Sequence, residues 1–433
     1  MSSRFLQIHT LTHYPASLLN RDDAGFAKRM PFGGAIRTRI SSQCLKRHWR
    51  TFDGEDGLAA LAESEALPDS VRSREIFKIQ VLPGVVKTPG ISEMRARWAV
   101  ASMVALLQVG TKANQKAKAK RASVAKKFVG TPEAEAPKAP RRREAAKADD
   151  AEEAEETTAE DVLSQVVVLG PPEIAFLTSE AIALARTDSK DEDLVEEARA
   201  RATNEQKANL EALAASVTKG AGLSAALFGR MRTGDLFADT EAAIHVAHAL
   251  TVHGQMAETD YFTAIDELVR EEGEAASGHI NASELTSGLY YGYVVVDLNG
   301  LVNNLGGDRK LAGQVADRLV HIISKVSPGA KKGSTAPYAY SHLVLVESGD
   351  AQPRTLQNAF IEPVRSSGDL IQNTYRALRR HLAELDAMYG KSEIRAHAGL
   401  HTVDESGGSY LELFGNRMSI PVLSSWTAGQ IEA

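Results

Sequence analysis

The alternation of apolar and polar residues divides the chain into stretches with two different periods. Residues 4–14 (RFLQIHTLTHY) alternate every second position, with Leu6 and Ile8 on one face and Gln7 and His9 on the other, which predicts a first strand. The strongest strand signal is LYYGYVVVDL, Leu289–Leu298, rich in tyrosine and valine. Its aromatic rings suit either a core or the stacking of bases. YAYSHLVLVE reads as another strand, and IHVAHALTVH fits a helix end or a strand. Helical spacing governs Gly57–Leu107, where Met94, Trp98, Ala101 and Leu106 mark the buried side of ISEMRARWAVASMVALLQ. It returns in PPEIAFLTSEAIALARTD, with Pro171 and Pro172 ahead of the first turn, and from about Asn204 to Lys219. DRKLAGQVADRLVHIISKV places Leu311, Val315, Leu319, Ile322 and Val326 on one face, and a last helix covers Leu370–Met388. Strand, helix, strand in the C-terminal half, joined to an N-terminal strand, predicts an α+β sheet of ferredoxin-like type with large insertions.

Two segments break these patterns. Lys112–Gly130 carries seven Lys/Arg and no acid, Asp149–Asp161 carries eight Asp/Glu and no base, and Phe128 is the only aromatic from Thr111 to Asp161. Such a composition predicts a disordered charged insertion at 111–161. Residues 256–288 form a polar excursion, a short amphipathic piece around Phe262, Ile265 and Leu268 followed by GEAASGHINASELTSG.

Charge then singles out one stretch. The chain as a whole is at -6, yet Arg21–Arg50 holds eight Lys/Arg against Asp22 and Asp23 alone. A cationic concentration in an acidic protein creates a local field for an anion, nucleic-acid phosphate first. Pro31, Gly33 and Gly34 turn the backbone, and Ser41 or Ser42 caps a helix starting near Gln43. Leu45, Trp49 and Phe52 fall on its inner stripe, with Lys46 and Arg50 flanking that stripe and Arg47 just beyond. Arg37 and Arg39 lead into its N-terminus, where backbone N–H groups favour phosphate.

Other chemistry is sparse. One cysteine, Cys44, excludes an internal disulfide and a cysteine-rich zinc site and points to the reducing cytoplasm. No signal peptide or membrane span is expected, and no nucleotide-binding, nucleophile-elbow or zinc-protease motif occurs. His245, His248 and His253 read as structural histidines, since no carboxylate or cysteine completes a metal set. Asp22 and Asp23 read as charge-pairing or loop-capping residues; the alternative is a metal-dependent endoribonuclease that uses them.

NRDDAGFAKRMPFGGAIRTRISSQCLKR, after a strand starting near residue 4, closely resembles the N-terminus of the CasC-type backbone subunit of type I-E CRISPR Cascade. The resemblance resumes in EIAF (173–176), GRM (229–231), AHALTVH (247–253), YFTAIDEL (261–268) and GLYYGYVVVDL, and ends with VHIISKVSPGAK. It implies a non-enzymatic, cofactor-free RNA-binding protein with an RRM-like palm (1–56, 221–255 and 288–433), helical fingers (57–220) and a thumb (256–287). The implied partners are CRISPR RNA, a target DNA strand paired with that guide, further copies of the chain, and the large, small, cap and guide-processing Cascade subunits; a membrane is not among them. The candidate RNA-binding set is Arg21, Arg37, Arg39, Ser41, Gln43, Lys46, Arg47, Arg50, Arg230, Met231, Arg232, His279, Ile280, Lys331 and Lys332, with Met231 and Ile280 flanking a displaced nucleotide. The chain departs from the family in the 111–161 insertion and in the helix from Asn204, which carries Lys207 but few other bases for contact with DNA.

Overall fold

The structure is a computed structural model that describes residues 3–67, 70–130, 166–204, 222–230, 240–265, 277–330, 332–401 and 411–432. The chain opens with β1 (Phe5–Ser17), the hairpin β2 (Arg29–Phe32) and β3 (Ala35–Ile40), and the helices α1 (Ser42–Arg50) and α2 (Leu58–Ser64). Next come β4 (Val71–Ser73), a π-helical run Phe77–Val81, α3 (Leu82–Val86), α4 (Glu93–Val109), α5 (Gln115–Gly130), β5 (Val167–Leu169), α6 (Pro171–Ala185), α7 (Leu194–Asn204) and α8 (Gly222–Phe228). The second half holds β6 (Ile244–Val246), β7 (Ala249–Thr251), β8 (Ala257–Ile265), β9 (Ser277–Asp297), α9 (Leu298–Asn304), α10 (Arg309–Lys325) and β10 (Leu343–Gly349). It closes with α11 (Leu370–Tyr389), β11 (Ile394–Gly399), β12 (Asn416–Arg417) and α12 (Ile420–Glu432).

The main sheet runs β12-β11-β10-β1-β9-β7-β3-β2, with β6 and β8 also paired to β9. β1 is antiparallel to both neighbours, so Ile8 lies opposite Val346 on one side and Val294 on the other. This register gathers the even-numbered apolar residues on one face. Leu6, Ile8, Val294, Val296, Val344 and Val346 form one core with Leu45 and Trp49 of α1 and the apolar stripe of α10. Leu11, Leu289, Tyr291, Leu343 and Leu345 point the other way, under Phe360 and the Tyr375, Leu378 and Leu382 stripe of α11. Both faces are covered. Tyr290 and Tyr291 of β9 therefore serve as core, buried on opposite faces, while the half-buried Tyr293 stacks on His9 with ring centroids 4.9 Å apart.

A second core lies in the helical segment. Phe77, Val81, Leu82 and Val85 pack with α4, α6, α7 and the β4–β5 pair. Here the expected one-sided α4 is corrected. Every residue from Ala99 to Leu107 is buried, because neighbours surround the helix, whereas Met94 at its start is 53% exposed. The expected disorder from residue 111 is corrected as well, since Gln115–Gly130 is the helix α5. Its Arg121, Ala125 and Phe128 form an i, i+4, i+7 stripe buried against the helical core. The Arg121 side chain is fully enclosed; it donates to Glu196 Oε1 at 2.7 Å and to the carbonyls of Gly110 and Lys112 at 3.1 and 2.8 Å. The remainder of that charged segment, 131–161, lies outside the described residues, as does nearly all of the expected helix from Asn204.

The polar excursion also differs from its expected form. β8 and the first part of β9 make an antiparallel ladder from Ala257↔Thr286 to Ile265↔Ser277 with an irregularity at Thr263/Ala264. The strand expected to begin at Leu289 thus begins at Ser277, where small and polar residues carry no strand signal of their own. IHVAHALTVH becomes two short strands, and Tyr338–His342 precedes β10 rather than joining it. Among the described residues no helix is long and apolar enough to cross a membrane.

Candidate nucleic-acid interface

The basic stretch is built on a turn, a hairpin and a capped helix. In the turn, Asp22 Oδ1 accepts from the backbone N–H groups of Ala24 and Phe26 at 3.0 and 2.9 Å, and Arg21 bridges Ala27. Asp22 is thus a loop-capping residue. Glu284 of β9 fastens the turn, accepting from Ala27 N and from Arg29 Nη2, both at 2.6 Å. At the hairpin tip Gly33 has φ +59°, and a Cβ there would stand 1.6 Å from the Ile361 carbonyl oxygen, so only glycine fits. The chain then enters α1 through Ser41, whose Oγ accepts from Cys44 N at 3.2 Å while its own N–H donates to Asn20 Oδ1 at 2.9 Å. Leu45 and Trp49 are buried, and Lys46, Arg47 and Arg50 are half-buried along the flank.

Cations crowd the first turn of that helix. His248, an exposed residue between β6 and β7, accepts at Nδ1 from Ser42 N at 3.1 Å. Desolvation, followed by the charges of Arg39, Lys28 and Lys46, pushes its pKa below the usual histidine value. Lys28 is likewise pushed down, by burial first and by Arg39 next, with Asp23 and Asp22 opposing. Lys28, Arg39, Lys46 and the α1 N-terminus therefore share one positive field, which disfavours a proton on His248 and favours an incoming anion. At the other end of α1, Asp56 is held by Lys325 Nζ at 2.6 Å and Arg318 Nη1 at 3.3 Å. Burial raises its carboxyl, and the Lys325 hydrogen bond with the neighbouring cations outweighs that and holds it low.

Three of the sequence-derived candidates are placed where a phosphate cannot reach them. Arg37 has no exposed surface; its guanidinium donates to the carbonyls of Phe32 (3.2 Å), Thr251 (3.1 Å), Phe360 (2.8 Å) and Ile361 (3.3 Å). Arg230 is buried in an ion pair with Glu173 at 2.6 Å, tying the residue before the Met231 segment to the first turn of α6. Ser41 is 1% exposed and its oxygen is spent on the helix cap. These are corrections, and in each case a partner distant in sequence or a local cap claims the polar group. Gln43 and Lys332 are exposed, and Arg21 and Arg39 are half-buried near the α1 N-terminus. Met231, Arg232 and Lys331 lie outside the described residues; His279 and Ile280 lie on β9, His279 two positions before the Asn281 that pairs with Phe262.

Sequence reasoning missed Glu284, and it read His248 as a structural histidine without placing it at the α1 N-terminus. His248 carried the signal of lying two residues before the Leu250 that pairs with Arg39, but that pairing is invisible without the sheet. Among the described residues no group of three His, Cys, Asp or Glu is arranged to hold a metal ion. His253 is structural, its Nδ1 donating to the Gly254 carbonyl at 2.7 Å and its Nε2 accepting from Leu289 N at 3.1 Å.

Solved structures that share this architecture include chains of two CRISPR RNA-guided surveillance complexes. A chain of a CRISPR RNA-guided surveillance complex in a pre-nicking state aligns with a TM-score of 0.68 at 24% identity, covering 98% of this chain and 99% of its own. A chain of another CRISPR RNA-guided surveillance complex aligns with a TM-score of 0.53 at 20% identity, covering 98% of each. No curated protein sequence matches. The family model of the CT1975-like proteins matches residues 6–425, nearly the whole length, and the chain therefore belongs to the CT1975-like protein family.

Proposed function

We propose that the chain is a backbone subunit of an RNA-guided CRISPR surveillance complex, of type I-E as its N-terminal resemblance implies. Copies of it line up along a guide RNA and hold the ribose-phosphate strand without reading its sequence, so that base pairing with target DNA supplies specificity. The observation that carries this reading is the shared positive field of Lys28, Arg39 and Lys46 around the first turn of α1. Mutual repulsion of this kind is relieved when a polyanion binds. The strand order β10-β1-β9-β6/β7, antiparallel throughout with α1 and α10 on one face, supports an RRM-like palm. The helical core from Ile76 to Ala202 corresponds to fingers and the β8–β9 ladder to a thumb.

Replacing Lys46, Arg47 and Arg50 together by alanine tests the reading. RNA affinity falls uniformly across sequences, and the log–log salt slope flattens by about 2, at ~0.7 for each released single-strand phosphate. An unchanged slope removes α1 from the interface. The chain does no bond-breaking on this reading. Periodic Mg²⁺-dependent cuts in complementary RNA, abolished by Asp23→Ala, would instead establish a ribonuclease.

A further inference from the structure

Tyr338 and Tyr340 are 72% and 71% exposed, although the segment that carries them is firmly seated. It links α10 to β10 and is fastened at several points. Ser327 Oγ donates to the Ala339 carbonyl and accepts from Ala339 N, both at 3.0 Å. Ala330 N donates to the Leu18 carbonyl at 2.9 Å, and His342 N to the Leu11 carbonyl at 2.7 Å. Pro337 is buried, Ala339 packs on the main core and Ser341 N donates to the Ser324 carbonyl at 2.9 Å, and the tyrosines that alternate with these three residues are left exposed.

This rim adjoins the basic helix. Leu18, which holds Ala330, is two residues from Asn20, whose side chain holds Ser41 at the start of α1. Ile323 and Val326, at the end of α10, share a small cavity with Leu45 and Trp49 of α1. The segment 326–346 carries two lysines and no carboxylate, and Lys332 is exposed. Rings offered on an anchored backbone within a cationic rim suit a partner that is anionic and presents flat apolar faces. Single-stranded nucleic acid has both properties.

We propose that Tyr338 and Tyr340 form a stacking platform for two bases of the strand whose phosphates lie along α1, a contact that rests on the RNA-binding reading above. It adds base-face contact, tolerant of sequence, to the backbone grip.

The test measures binding of the full chain to oligouridine and to an abasic ribose-phosphate strand of equal length. In the double variant Tyr338→Ala/Tyr340→Ala, oligouridine affinity falls about fivefold or more for each ring. Affinity for the abasic strand and the salt slope stay at wild-type values, and Tyr338→Phe/Tyr340→Phe keeps wild-type affinity for oligouridine. The α1 triple variant serves as the reference, losing affinity for both strands. If the tyrosine variant binds oligouridine like wild type while the triple variant fails, the platform is overturned and the RNA-binding reading stands. If the triple variant loses nothing on either strand, that reading itself falls. Unchanged oligouridine binding with altered self-association in sedimentation would show that the rings cover a neighbouring copy, which also overturns the platform.

Discussion

Arg37→Ala separates a structural arginine from an RNA contact. The Arg37 guanidinium joins three segments: the β2–β3 hairpin through Phe32, the end of β7 through Thr251, and the Phe360–Ile361 turn. All four acceptors are carbonyl oxygens, and burial pushes the guanidinium pKa down. Truncation leaves those carbonyls in the interior without their donor. Counting only the two shorter bonds, at 2.8 and 3.1 Å, and about 1.5–3 kcal/mol for each bond from a charged donor, the loss is about 3–6 kcal/mol. With an m-value of about 3 kcal/mol/M for a chain of this size, the urea midpoint of the transition reporting on the sheet falls by about 1–2 M. Arg37→Lys retains the charge but offers no planar fork, so it lies between wild type and alanine. RNA binding, measured well below the midpoint, keeps its salt slope. A variant with wild-type urea resistance and a flattened slope would refute the reasoning and return Arg37 to the interface.

Two further expectations concern buried charge. Glu347 is fully enclosed with His9, Arg354 and Arg395 at 3.0, 2.7 and 2.5 Å. Burial pushes its carboxyl up, but the His9 and Arg354 bonds and charges outweigh this and depress it. A carboxylate depressed in the folded state contributes stability that is present above its unfolded pKa, about 4.3, and is lost as pH falls below that value. Acid titration by circular dichroism should therefore show a steep loss below about pH 4, and Glu347→Gln, costing about 3–5 kcal/mol at pH 7, should make that loss shallower; an unchanged acid profile would contradict this. Arg121→Ala removes the buried donor that ties α5 to Glu196 and to the carbonyls of Gly110 and Lys112. Hydrogen exchange in α5 should accelerate by an amount matching about 2–4 kcal/mol while β1 and β9 stay protected, and unaltered α5 exchange would show that the arginine holds nothing.

What could be read from the sequence was what depends on neighbours in the sequence. α1 was legible because its cap, its apolar stripe and its cationic flank all lie within Ser41–Phe52. β1 and α10 were legible for the same reason, each by its own period. Arg37 was not, because the groups that bury it come from 214 and 323 residues further along. Nor was α5, where lysines dominate the composition and three well-spaced residues, Arg121, Ala125 and Phe128, do the packing. The β8–β9 ladder escaped because backbone pairing, rather than apolar alternation, defines residues such as Ser283 and Glu284.

The covering of both sheet faces decides how this fold can hold a strand. A sheet that binds RNA on its surface needs open aromatic rings, yet Tyr291 is enclosed, with its hydroxyl 2.8 Å from His9 Nδ1 and accepting from Leu356 N at 2.9 Å. α11 and the Glu347 cluster close that face, and α1 and α10 close the other. On the proposed reading a polynucleotide is thereby kept from the sheet and left to the rim, where the Asp22 turn and the α1 N-terminus follow the end of β1 and the Tyr338 segment is tied to the carbonyls of Leu11 and Leu18. On the proposed reading, contacts at the rim are made to phosphates and base faces, neither of which differs enough among nucleotides to encode sequence. The Watson–Crick edges then remain available to a second strand, which is what a guide-presenting subunit requires and what a sheet that buried its bases would prevent.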